Sequence, residues 1–113
     1  MPYIQRELQP QIIGELSPRA IVIYGARQIG KTTLVDQLAR TAKSVRRFDG
    51  DSYGDRRQLN FQSAVDVELT LRQADTIIID EAQGLPDAGL VLKQLVDMNI
   101  RLNLGRKIYA TAS

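Results

Sequence analysis

The chain has 113 residues, 43% hydrophobic and 25% charged, with 15 basic against 13 acidic side chains and a net charge of +2. That is the make-up of one folded domain around a single core and argues against disorder, and no window approaches the roughly 20 apolar residues of a membrane span. With neither cysteine nor histidine, disulfides, thiolate metal sites and imidazole chemistry are excluded, so a bound metal must be hard and oxygen-held, as magnesium is.

The start, Met1-Pro2-Tyr3-Ile4-Gln5-Arg6, is no signal peptide, and a cytoplasmic location is expected. From Tyr3 to Leu16, Ile4, Leu8, Ile12, Ile13 and Leu16 fall at helical spacing and predict a helix, stopped by Ser17-Pro18. Ala20 to Tyr24 is a short β-branched run of the kind that strands buried on both faces show. Lys31 to Ala42 predicts a helix with Leu34, Val35, Leu38, Ala39 and Ala42 on one side. Val45 to Asp51 is a weaker strand ending in the polar turn Asp49-Gly50-Asp51. Arg46-Arg47 and Arg56-Arg57 are basic pairs without interleaved aromatics, so solvated surface arginines are expected there rather than a nucleic-acid patch.

Gln62 to Ala74 reads two ways: Val65, Val67, Leu69 and Leu71 alternate as in a strand, while Val65 and Leu69 also fit a helix. Helix is preferred, because a crossover must precede the next strand. That strand, Thr76 to Ile79, is the strongest in the chain. Asp87 to Met98 follows as a helix with Val91, Leu92, Leu95 and Val96 inward, and Arg106 to Thr111 as the last strand. Alternation of this kind predicts an α/β fold, a parallel sheet covered by helices. The sequence stops at Tyr109-Ala110-Thr111-Ala112-Ser113 with no covering helix, so it is expected to be part of a larger domain.

From the end of the first strand into the helix at Lys31 runs Gly25-Ala26-Arg27-Gln28-Ile29-Gly30-Lys31-Thr32, a match to G-x-x-x-x-G-K-[ST]. Gly25 and Gly30 let successive backbone N–H groups turn inward around phosphate oxygens. The helix start adds the positive end of its dipole, Lys31 a mobile charge for the outer phosphates, and the Thr32 hydroxyl a magnesium ligand. Arg27, inside the loop, either meets a phosphate or a partner or points to solvent.

The run Ile77-Ile78-Ile79 ends in Asp80-Glu81. Acidic residues there face the cleft outside the sheet's carboxyl edge, where such folds bind ligands. Asp80 would hold magnesium through its water shell, and Glu81 would orient or deprotonate an attacking water. Gln83 either relays the phosphate state to its surroundings or simply opens the loop Gly84-Leu85-Pro86.

These residues resemble the P-loop NTPases of the AAA+ class, and more closely a prokaryotic AAA-family ATPase group, on the strings "GARQIGKTTL" and "IIIDEAQGLPDAGLVLKQLVD". The resemblance implies a three-layer P-loop NTPase fold with a parallel sheet, here truncated after the fourth strand, and ATP and Mg2+ as cofactors. It implies phosphate contacts along Gly25 to Thr33, catalytic roles for Lys31 and Glu81, and metal binding by Thr32 and Asp80. It also puts a polar sensor at "YATAS", where Thr111 and Ser113 both qualify because Ala112 stands at the usual glycine.

By the same resemblance, a fifth strand, a helical lid and a C-terminal domain are expected to be missing, together with the arginine finger. Weak binding and very slow turnover are therefore expected of the chain alone. In the strand order 5-1-4-3-2, loss of strand five leaves Ala20 to Tyr24 as an unpaired edge, so association through it into a homo-oligomer, or its burial in some non-native way, is expected. No membrane partner is indicated.

Two other functions compete with an ATPase. A nucleotide-switched scaffold would use the same residues with negligible turnover. A helicase would share the Asp80-Glu81-Ala82-Gln83 string, but the separation from Lys31 to Asp80 is short for such motors, and stacking aromatics are lacking. A GTPase would need an Asn-Lys-x-Asp reader, which the sequence lacks. A nucleotide kinase would leave Glu81 without a role.

Overall fold

The computed structural model describes residues 11–17, 20–24 and 31–112, with side chains from residue 35. Among the described residues five strands form one sheet in the order β1-β2-β5-β4-β3. They are β1 (Gln11–Ser17), β2 (Ala20–Tyr24), β3 (Val45–Asp49), β4 (Thr76–Asp80) and β5 (Lys107–Ala112). β2, β5, β4 and β3 run parallel, and β1 pairs antiparallel with β2. The result is a mixed α/β fold.

The helices α1 (Lys31–Thr41), α3 (Ala64–Leu71) and α4 (Ala88–Arg101) occupy the expected segments, each in a crossover between parallel strands. The ambiguous segment is indeed helical, and it is shorter than its apolar pattern. A fourth helix, α2 (Tyr53–Gln58), was not anticipated: Ser52 caps it by accepting the Asp55 N–H through its hydroxyl.

Two expectations are overturned at the N-terminal side. Gln11 to Leu16 is strand, not helix; the rest of the proposed helix, residues 3–10, lies outside the described residues. The helical spacing ran through Pro10 and Gly14, the two residues that most disfavour a helix interior, while Ile12 and Ile13 are β-branched. Only residues 18 and 19 separate Ser17 from Ala20, and these two pair across the strands, so a hairpin is the local solution. In consequence β2 is not an unpaired edge, and the strand count exceeds the four expected.

β4 is buried from Thr76 to Ile79, as a central parallel strand requires. Ile77 and Ile79 join Phe48, Leu71, Leu92, Leu95, Val96 and Ile108 in one core cluster. Each buried aliphatic side chain contributes roughly 1.5–3 kcal/mol, and the cluster fixes β3, β4 and β5 in register. Their carboxyl ends therefore present Asp49, Asp80 and Thr111 along one rim.

Candidate functional site

That rim forms a cleft of about 430 Å³ lined by Arg47, Phe48, Asp49, Asp55, Asp80, Glu81 and Thr111. Asp49 and Asp80 are register partners at the ends of neighbouring strands. Asp80 is the first residue of β4 not fully buried, because the strand emerges from the core there.

Around Asp80 the polar contacts are dense. Arg47 donates from Nε to Asp80 Oδ2 at 2.6 Å and from Nη1 to Asp36 Oδ1 at 3.0 Å. Asp36 lies in the second turn of α1, so this chain of ion pairs draws the helix that begins at Lys31 towards the acidic strand end. Partial burial pulls the Arg47 guanidinium down, but its hydrogen bonds to Asp80 and Asp36 outweigh that and hold it above the ordinary arginine value.

Thr111 joins the two acidic residues. Its Oγ1 accepts the Glu81 N–H at 3.1 Å and lies 3.4 Å from Asp80 Oδ1, towards which it donates. Of the two sensor candidates, Thr111 thus reaches Asp80, while Ser113 lies outside the described residues. Glu81 adopts left-handed backbone, φ 51° and ψ 50°, as the chain turns into the 3₁₀ turn Ala82–Gly84. Its carboxylate accepts from Gln83 Nε2 at 2.7 Å, so Gln83 is engaged with the acidic pair.

The loop from β3 packs directly beneath. Gly50 N–H donates to the Asp80 carbonyl at 2.7 Å. A Cβ on Gly50 would collide with the Glu81 carbonyl oxygen, and one on Gly84 with the Gly50 carbonyl oxygen. Backbone contact this close explains two glycines that the motif reading did not use.

The arginine pairs lie at the surface, as expected, with Arg47 and Arg57 exposed and Arg46 and Arg56 partly so, and each side chain also has a neighbour. Arg46 stacks over the Phe48 ring at 3.9 Å and donates to Gln73 and Gln58. Arg56 donates to the Gly50 carbonyl, and Arg57 lies 5.9 Å from the Tyr53 ring centre. Sequence reasoning missed Arg47, Asp36 and Asp55 at this site; for Arg47, its neighbour's identical chemistry gave no signal to separate the two.

Residues Gly25, Ala26, Arg27, Gln28, Ile29 and Gly30 lie outside the described residues. Of Lys31, Thr32 and Thr33 the backbone is described, as the first turn of α1.

Among the described residues no group of three or more acidic side chains is placed to hold a metal unaided. The donors present are hard oxygens, with the Asp80 Oδ1 side met by a hydroxyl at 3.4 Å. That set fits a small hard cation shared between one carboxylate and the oxygens of a ligand, the usual mode for magnesium.

Among the described residues no helix is long and apolar enough to cross a membrane. A family model described as an AAA domain matches residues 17–113. None of the curated proteins matches the chain.

Proposed function

The chain belongs to the AAA domain family, and from that premise we propose that it is a magnesium-dependent ATP-binding module whose acidic strand end serves ATP hydrolysis. The observation that carries this reading is the meeting of Asp80, Glu81 and Thr111 in one cleft at the carboxyl ends of parallel strands, where such sheets take their ligands. The start of α1 at Lys31, directly after the glycine loop, supports it from the other side.

In this reading the backbone N–H groups from Gly25 to Thr33 hold the polyphosphate, and Lys31 neutralises its outer charge. Thr32 and Asp80 hold Mg2+, which supplies charge neutralisation on the transferring phosphoryl group. Glu81 orients a water and accepts its proton, with Thr111 and Gln83 fixing where its backbone and carboxylate point. Thr111 doubles as the sensor of the terminal phosphate. Adenine as the base is taken from family membership.

Single-turnover hydrolysis in Glu81→Gln tests the reading. A lost general base lowers the rate by about 10²- to 10⁴-fold, while ATP stays bound. A rate that Glu81→Gln leaves unchanged would favour the nucleotide-switched scaffold instead.

A further inference from the structure

Asp80 Oδ2 already carries a cation. The Arg47 guanidinium covers it at 2.6 Å and reaches Asp36 Oδ1 at 3.0 Å with its other arm. Three elements meet in these contacts: α1 through Asp36, β3 through Arg47 and β4 through Asp80. A guanidinium is a diffuse monovalent cation, and it sits on the carboxylate that the proposed function gives to a compact divalent one. Like charges so close repel across a partly dry cleft, so each weakens the other's hold on Asp80.

Resting on the reading of Asp80 as the magnesium ligand, we infer that Arg47 is a placeholder cation. It holds the Asp80 carboxylate in position in the metal-free site and yields it when a divalent ion arrives. Asp36 gives the guanidinium a second carboxylate to keep, so the arginine need not be left unpaired. Metal loading is thereby linked to the tie between α1 and β4. The alternative is a plain strut, in which Arg47 merely orients Asp80 and favours metal binding. The two roles predict opposite signs.

The three side chains are 37%, 24% and 45% exposed for Arg47, Asp80 and Asp36. Water screens such pairs, and their measured strength corresponds to no more than about fivefold in an equilibrium constant. Competition should therefore be modest in size and definite in direction.

The test is Mn2+ binding to the ADP-saturated chain, followed by the electron paramagnetic resonance of the free ion. Arg47→Gln should tighten Mn2+ by about two- to fivefold, and Arg47→Met, which keeps the apolar stem, should do the same. Unchanged or weaker Mn2+ binding in these variants overturns the placeholder and leaves the strut. A readout on the unmutated chain does not depend on variant folding: Mg2+ with ADP should shift the Arg47 Nε–H proton resonance away from its hydrogen-bonded position. A resonance that stays in place overturns the inference. If the unmutated chain fails to bind ADP, or Asp80→Asn keeps the original metal affinity, the reading of the site itself falls and takes the inference with it. ADP bound, an Asp80-dependent metal and an unmoved Arg47→Gln would refute the placeholder alone.

Discussion

Glu81 stands on left-handed backbone, a conformation costing about 1–2 kcal/mol for a residue with a Cβ. The chain accepts it because β4 must turn at once from a buried strand into the Ala82–Gly84 turn. Hydrogen bonds offset the cost: the Glu81 N–H to Thr111, Gln83 to the Glu81 carboxylate and the Gly50 N–H to the Asp80 carbonyl. Gly50 is what lets the β3 loop come that close. Gly50→Ala should therefore lower stability by about 1–3 kcal/mol, the usual cost of overpacking, read as a shifted urea midpoint. An unchanged midpoint would mean that the loop moves aside freely. At this scale Asp80 and Glu81 were legible because a run of isoleucines ends in them. Arg47 was not, since nothing in Arg46-Arg47 tells which arginine meets a carboxylate 33 residues away.

Among the elements, α4 shows both the strength of periodicity and its blind spot. Val91, Leu92, Leu95 and Val96 are buried as their spacing requires. The same spacing carries Asn99 inward and leaves Ile100 about half exposed, the reverse of their polarities. Asn99 is fully buried because it closes the turn into β5: its Nδ2 donates to the Arg106 carbonyl and its Oδ1 accepts the Arg106 N–H, each at 2.9 Å. Arg106 in turn donates from Nε to the Leu71 carbonyl at the end of α3. Asn99→Ala would strand two backbone groups, at about 1–3 kcal/mol each. We expect a loss of about 2–4 kcal/mol on chemical denaturation; a loss under 1 kcal/mol would show that water replaces both bonds without cost. β1 was misread for a related reason. Hydrophobic spacing outweighed Pro10 and Gly14, and a strand of this irregular register, shifted after Ile12 and again after Glu15, keeps no clean alternation to be read.

For the molecule as a whole, four strands were legible because alternating strands and helices leave few ways to build a parallel sheet, and the observed order β2-β5-β4-β3 follows the family's 1-4-3-2. The antiparallel neighbour of β2 was not legible, since the strand order implied by the resemblance put a bare edge where the chain's own hairpin lies. With β1 in place, β2 offers no free ladder to a second copy of the chain. The sheet brings Asp80, Glu81 and Thr111 to one rim and ties α1 to it through Asp36 and Arg47. What gives this rim its proposed purpose is a polyphosphate held by the loop that ends at Lys31. Calorimetric titration of Mg-ATP into the unmutated chain and into Lys31→Ala tests that most directly. Loss of a charge-assisted contact to phosphate should weaken binding about 10- to 100-fold, with the fold of the variant intact by circular dichroism. Equal affinity in the two proteins, or no heat from the unmutated one, would contradict it.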